Sequence, residues 1–508
     1  VIANELKSVF EGDVNFSAVE SVNGYLNFKF NRASFASQVL ADVLSGKEKY
    51  GSSDMGKGKT ICIDYSSVNI AKPFHIGHLS TTVIGGSLYK IFEFLGYKVV
   101  GINHLGDYGT QFGKMICAYK LWGNKQAVEK GGVKELMRLY VRFHEEAKQN
   151  PELDDKAREY FKNIENGCRE ENELFTWFKD ITLKEVKKIY EKLNIKFDSY
   201  AGESFYNDKM QPVIDELTEK GLLVESDGAK VVKLDDYGMP PCIILRSDGA
   251  SLYATRDLAA ALYRKKTYDF YKCLYVVAYQ QDLHFKQLFK VLELMGKEWA
   301  KDMVHVSFGM VSLEDGAMST REGKVVLLED VLNKAVEKCL NIINEKNPNL
   351  EDKENVAEIV GIGAVIFGTL FSGRIKDITF SYDKMLNFDG ETGPYVQYTC
   401  ARCKSVLRKS GEIKDYKVTS VNDDEYALTT LLARFPEIVK QSAEKYEPSI
   451  ITRYSVDLAE AYNKFYFDYR ILGEEDDVKN YRLALTSATL YVLSSALRLL
   501  GISVPKKM

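Results

Sequence analysis

No run of apolar residues in this chain is read as long enough to span a membrane, and no charged-then-apolar leader opens it. The formal net charge is only -4 over 508 residues. That excludes a protein coated in basic charge but not a local positive groove for nucleic acid. The eight cysteines are scattered, which excludes a disulfide scaffold and suits the cytosol. Cys400 and Cys403 form a lone C-x-x-C inside a helical pattern. With no second pair at zinc-finger spacing they read as helix packing, so no metal ligand is assigned. The two common phosphate signatures, G-x-G-x-x-G and G-x-x-x-x-G-K-[ST], are missing.

What is present is a globular composition, 45% hydrophobic and 28% charged. Its length predicts about two to four domains. The most informative stretch runs from Thr60 to His78. Ile61, Ile63 and Tyr65 alternate with Thr60, Cys62 and Asp64, the period of a pleated strand. Ile76, Leu79, Val83, Leu88, Ile91 and Leu95 then recur at helical spacing, with Gly96 as a stop. Lys98 to Asn103 reads as a second parallel strand. Strand, crossover helix and strand open a nucleotide-binding α/β sheet. His75, Gly77 and His78 fall on the turn, where a helix N-terminus aims its free N–H groups at an anion. Alone, H-x-x-H there reads more readily as a cap or a metal site.

The flanks change that reading. Ser-Ser-Val-Asn-Ile-Ala-Lys-Pro-Phe-His-Ile-Gly-His-Leu, followed by Asn103-His104-Leu-Gly-Asp-Tyr-Gly-Thr-Gln-Phe-Gly113, resembles the signature of bacterial-type class I arginyl-tRNA synthetases. The resemblance covers almost the whole chain. It implies a Rossmann-like parallel-sheet α/β catalytic domain with a helical insertion, a small α+β N-terminal module and an all-α anticodon-binding bundle. Because the chain begins at Val1 and family members carry more sequence ahead of this point, part of the N-terminal module is expected to be missing. The implied reaction is activation of arginine by ATP to arginyl-adenylate and pyrophosphate. Transfer to the terminal adenosine 2′-hydroxyl of tRNA(Arg) follows. Lys72, His75 and His78 are the expected catalytic groups, with Gly77 leaving room for the purine. The family's arginine-binding positions fall on Asp64, Asn69, Tyr253, Asp257 and Gln281. Asp257 is the best candidate to grip the planar, five-donor guanidinium. Magnesium is expected on the ATP phosphates without a dedicated cage, and zinc is not expected. Arginine, ATP and tRNA(Arg) are the expected partners of a cytoplasmic monomer that binds neither DNA nor membrane.

In chain order, residues 1–57 read as the N-terminal module. Its Val22 to Phe30 is strand-like, Arg32 to Gly46 is an amphipathic helix, and Tyr25 and Asn27 are candidate contacts to an unpaired tRNA base. Residues 58–385 carry the sheet, interrupted by a Lys-, Glu- and Leu-rich helical insertion over about 115–200. No long polar β-rich editing module is read. The sheet is expected to resume with Val231 to Leu234, Cys242 to Leu245, Cys273 to Val277 and Val304 to Met310. Gly316 to Lys324 sits where the family carries a phosphate-closing K-M-S-K-S loop. Met318, Ser319 and Arg321 remain as ATP contacts, but Ala317 and Thr320 replace both lysines, which puts the loop's share of catalysis in question. Residues 386–508 read as the helical bundle. There Arg402 and Arg408 on a basic face, and Tyr462 and Tyr466 on a later helix, are candidate tRNA contacts.

Three other readings compete. A synthetase for glutamine or cysteine is one; a small-molecule adenylyltransferase, which would not need the C-terminal bundle, is another. A catalytically silent tRNA-binding relative is the third, and Ala317 is its only support.

Overall fold

The strand Thr60–Asp64 is buried on both faces: Ile61, Cys62 and Ile63 are all inaccessible. Alternation in its sequence therefore reflects packing against two helical layers, not one wet face. In a computed structural model describing residues 2–246, 253–313, 326–411 and 415–508, this strand lies inside a four-stranded parallel sheet. The strand order is Lys98–Ile102, Thr60–Asp64, Lys272–Tyr275, Met303–His305. Register aligns Asp64 with Ile102 and Tyr275, and Tyr275 with His305, so one carboxyl edge is shared. The chain leaves Thr60–Asp64 to one side and returns on the other, placing a topological switch point beside Asp64.

The expected crossover helix is present as Leu79–Phe94, ended by Gly96 at φ 82°. The second half of the sheet differs from the sequence reading. Ala229–Val232 and Cys242–Leu245 leave the parallel sheet and form a separate antiparallel sheet with Leu223–Ser226. A short parallel pair, Val311–Leu313 with Ile378–Phe380, lies outside the four-stranded sheet. Four helices, Thr110–Trp122, Lys125–Ala147, Glu152–Glu165 and Arg169–Lys192, occupy the insertion.

The chain divides into two compact units: residues 54–334 with 372–381, and residues 1–53 with 335–371 and 382–508. In the second unit, Val22 to Phe30 is not one strand. Phe16–Val22 and Tyr25–Phe30 form a hairpin, turning at Asn23 and Gly24 with φ 52° and 83°. Asn-Gly is the dipeptide that a type I′ turn demands. Helices Gly393–Ser410, Asp423–Lys445, Ser449–Asp468 and Asp476–Leu499 form the bundle, and Arg32–Gly46 packs on it. Cys400 and Cys403 are both buried in the first of these. The helix Lys353–Phe371 is, by length and composition, apolar enough to cross a membrane, which the sequence reading did not register. Twelve of its residues are buried, as in a core helix packed on its neighbours in the same unit.

Candidate active site

The His75–His78 turn is capped by its own side chains. Gly77 N–H donates to His75 Nδ1 at 3.0 Å, and His75 N–H donates to His78 Nδ1 at 3.3 Å. An Nδ1 that accepts puts the ring proton on Nε2. His75 thus has an Nε2–H donor left to offer, while His78 Nδ1 lies 3.3 Å from the His75 N–H and equally 3.3 Å from the His75 carbonyl. Burial, with the Lys72 charge, lowers the His75 pKa. Burial, the neighbouring His75 and Lys72 together push His78 down to about 3. Both rings are neutral donors at pH 7, and they stand 4.0 Å apart between centroids. Lys72 also lines a cavity of about 230 Å³ on the side of the insertion helices, with Phe74, Met137 and Glu185.

The loop ahead of the turn is held from several directions. Thr81 accepts from Ser66 N–H at 3.0 Å and donates to the Val276 carbonyl at 2.6 Å, clipping the two sides of the switch point together. Ala71 N–H donates to Thr182. The Tyr190 hydroxyl bonds Ser66 and accepts from Asn103. Thr182 and Tyr190 both come from the insertion helix Arg169–Lys192, so the insertion backs the loop. Three residues that are not glycine hold left-handed backbone here: Ser66 at φ 71°, Ser67 at 46° and Ala71 at 58°. Between them Asn69 makes an isolated bridge to Gly106. A Cβ on Gly106 would meet Asn69 Oδ1 at 2.4 Å.

The acidic residues divide into two kinds. Asp64, 5% exposed, is committed inside the protein. Its Oδ2 lies 2.7 Å from Arg264 Nη2, and its Oδ1 accepts from Ser67. Asp64, expected among the arginine-binding residues, thus already faces a guanidinium of the protein itself, that of Arg264, 1% exposed. Asp257 remains approachable, with its side chain 27% exposed. Burial raises its pKa, but the His284 hydrogen bond and the charges of His104, His284 and Arg264 outweigh that and hold it low. Tyr253, 67% exposed, stands one turn earlier on the same helix. Gln281 is exposed just ahead of the helix Asp282–Leu294 that carries His284.

Sequence reading missed Glu203. Its carboxyl is pushed up to about 7, first by burial; Arg256 opposes the shift while Asp257 and Asp107 add to it. Lys72 is also among its electrostatic neighbours. The Glu203 carboxyl lies 3.8 Å from the Arg256 guanidinium. Its backbone is pinned by a bond from its N–H to the Leu105 carbonyl and by Asp107, which accepts from the Ser204 N–H and hydroxyl. Gly202 is required there, since a Cβ would meet Asp107 Oδ1 at 2.5 Å. An acid that opens a 3-10 helix, here Glu203–Lys209, gives no periodicity signal, so only tertiary placement reveals it.

Met318, Ser319 and Arg321 lie outside the described residues. Among the described residues, no cluster of three His, Cys, Asp or Glu is placed to hold a metal. Of the candidate tRNA contacts, Tyr25 and Asn27 are exposed on the hairpin. Arg402 stacks near Tyr398 and Tyr466 at 5.0 and 4.9 Å and donates to Asn463. Arg408 instead donates to the Lys506 carbonyl, fastening the C-terminal tail. Tyr462 is corrected to a core residue: it is fully buried, with its hydroxyl toward Thr486. Tyr466 is 41% exposed.

Residues 39–382 match the model for "tRNA synthetases class I (R), catalytic domain", and residues 396–508 match that for "DALR anticodon binding domain". With the parallel sheet and the histidine turn at its switch point, these define a class I tRNA synthetase. Relatives named arginine–tRNA ligase include one from Halothermothrix orenii, 54% identical across the whole chain and 90% of its own length. Another, from Clostridium botulinum (strain Langeland), is 56% identical across the whole chain and 91% of its own length. The solved Thermus thermophilus arginyl-tRNA synthetase has a TM-score of 0.86 at 26% identity, covering 100% of this chain and 91% of that one. The chain belongs to the class I arginine–tRNA ligase family.

Proposed function

We propose that this protein joins arginine to tRNA(Arg) in two steps at the carboxyl edge of its parallel sheet. An arginine carboxylate oxygen attacks the α-phosphorus of ATP, and the bond to pyrophosphate breaks. The terminal adenosine 2′-hydroxyl then attacks the adenylate carbonyl, and AMP leaves. No protein nucleophile is required; the residues position the reactants and stabilise charge. The imidazoles of His75 and His78, with Lys72, meet the charge growing on the phosphoryl oxygens. Asp257 takes the guanidinium, with Tyr253, Gln281 and Asn69 completing the amino-acid side. Glu203 supplies the second carboxylate, in place of Asp64.

The observation that carries this reading is the shared carboxyl edge of the sheet: the His75–His78 turn follows the strand Thr60–Asp64, and Tyr275, aligned with Asp64, leads to the helix whose His284 holds Asp257. A cation-binding end and an anion-binding end thereby adjoin, as a substrate with a guanidinium tail and an activated carboxylate requires. A magnesium ion accompanying ATP would be held chiefly by the phosphates. The protein is taken to act in the cytoplasm as a monomer, apart from DNA and membranes; light scattering checks its mass in solution.

Aminoacylation of tRNA(Arg) with each amino acid in turn tests the function. Arginine alone should be charged. Charging of another amino acid, or adenylylation without tRNA as product acceptor, would replace it with one of the competing readings. Pyrophosphate exchange should need cognate tRNA as well as arginine and ATP, an expectation motivated by family resemblance; robust exchange without RNA would remove that requirement.

A further inference from the structure

The insertion helix Arg169–Lys192 reaches the histidine turn through a line of buried side chains. Asn103, Tyr190, Ser66 and Thr82 are each at most 2% exposed. Tyr190 Oη lies 2.8 Å from Asn103 Nδ2 and 2.8 Å from Ser66 Oγ. Ser66 Oγ lies 2.9 Å from Thr82 Oγ1, which lies 2.6 Å from the His78 carbonyl. The protons of this line follow from its last member. A carbonyl only accepts, so the single Thr82 proton goes to His78. Ser66 then donates to Thr82, and Tyr190 donates to Ser66. Tyr190 has no second proton, so its other partner must be a donor, as Asn103 Nδ2 is. Each hydroxyl gives one bond and takes one, all in the same direction, from Asn103 to His78.

Tyr190 meets the turn by a second route. Its ring stands edge-on to Phe74, 5.5 Å between centroids, and Phe74 lies 5.2 Å from the His78 ring. One insertion residue thus supports both the carbonyl and the imidazole of His78. The middle of the line is a strained residue. Ser66 is left-handed at φ 71°, and such a conformation persists only where its surroundings over-determine it. Here Thr81 takes its N–H, and Tyr190 and Thr82 hold its hydroxyl from both sides. At the far end, Asn103 Oδ1 is buried with no partner among the described residues. Without the Tyr190 hydroxyl, the Asn103 N–H that it accepts would be orphaned as well, and a buried amide left so is driven to move.

We propose that Tyr190 is a positioning residue for arginine activation: through Ser66 and Thr82 its hydroxyl fixes the His78 carbonyl, and so the cap on which the His75 and His78 imidazoles stand. Tyr190 itself touches no reactant. It gives the insertion a part in turnover, beside Thr182 of the same helix, which accepts from Ala71 N–H at 3.1 Å. The inference rests on the reading of His78 as a group of the phosphate end.

The test is a double-mutant cycle on arginine-dependent pyrophosphate exchange with tRNA(Arg) present, which reads the activation step by itself. Tyr190→Phe keeps the ring against Phe74 and removes only the hydroxyl. Thr82→Val removes the last link, to His78, with little change of shape. Each should lower kcat roughly tenfold, since misplacing a catalytic group by about 1 Å can cost about 10²-fold. KM for arginine should change little, because the lost interaction matters only in the transition state. The double variant should be no slower than the slower single one, two breaks in one line counting once. Effects that multiply in the double variant would overturn the proposal. So would a Tyr190→Phe protein that melts lower but turns over normally, or one whose only change is a raised KM for arginine; either makes Tyr190 a plain support of the core. His78→Ala separates the two layers. Normal turnover by that variant refutes the underlying reading; lost turnover there, with Tyr190→Phe silent, refutes the positioning alone. Should Tyr190→Phe not fold, Ser66→Ala breaks the same line and carries the same comparison with Thr82→Val.

Discussion

The two ends of the site solve opposite electrostatic problems by opposite means. At the His75–His78 turn, where the proposed reaction brings an anion, the rings are kept neutral by burial and by the nearby Lys72 charge. They are held by reciprocal caps before any ligand arrives. At Asp257 the carboxylate is held charged, and it already has an imidazole partner at 2.7 Å. Neutral preorganised donors suit charge that grows only in the transition state, because they need no reorganisation when it does. A resident carboxylate suits a charge that the substrate carries all along. The first end should govern turnover and the second should govern which amino acid enters.

The sharpest way to break that division is a substrate that differs only in charge. Citrulline should be rejected relative to arginine by ~10⁴-fold in kcat/KM, as sites built to hydrogen-bond a substrate group reject analogues lacking it. Asp257→Asn should collapse much of that ratio while leaving KM for ATP nearly unchanged; steady-state charging assays with both amino acids decide. At the other end, Lys72→Ala should lower kcat by roughly 10²-fold with little change in KM for arginine. A Lys72→Ala enzyme of normal turnover would remove Lys72 from the phosphate end.

Glu203 gives the smaller, pH-resolved tests. Its carboxyl is neutral below about 7 and charged above. Apparent arginine affinity should therefore rise several-fold as pH passes upward through that value, an increment absent in Glu203→Gln. Stability should move the other way. The folded pKa is raised above the unfolded one, so the folded state holds an extra proton between the two values. Stability is greatest below the unfolded pKa and falls as pH rises through about 7. Glu203→Gln should hence melt about one to a few degrees higher than wild type at pH 8 and show little gain at pH 4. Differential scanning calorimetry at the two pH values checks the sign.

Much of this was legible in the sequence because it is written locally. The strand Thr60–Asp64, the turn and the helix Leu79–Phe94 follow from period and stop signals. Asp257 stood out through its flanking motif. What escaped is what depends on partners distant in sequence. Nothing near Asp64 announces that Arg264, 200 residues on, will neutralise it. Tyr462 and Tyr466 share a helix and look equivalent until packing buries one. The strands Ala229–Val232 and Cys242–Leu245 carry the same apolar signal in either sheet, and topology alone sends them to the antiparallel one. The Asn23-Gly24 hairpin was readable, by its dipeptide, and was passed over inside a longer apolar run.

Ser66, Ser67 and Ala71, left-handed without being glycine, make the substrate loop a place where directed evolution for thermal tolerance would be misled. Each such residue costs of order 1 kcal/mol or more, so a screen for heat resistance should readily recover Ala71→Gly. Freed of its Cβ, that position would also let the Asn69 segment sample conformations that Thr182 and Tyr190 now deny it. A hardier protein would emerge, and a slower enzyme with it.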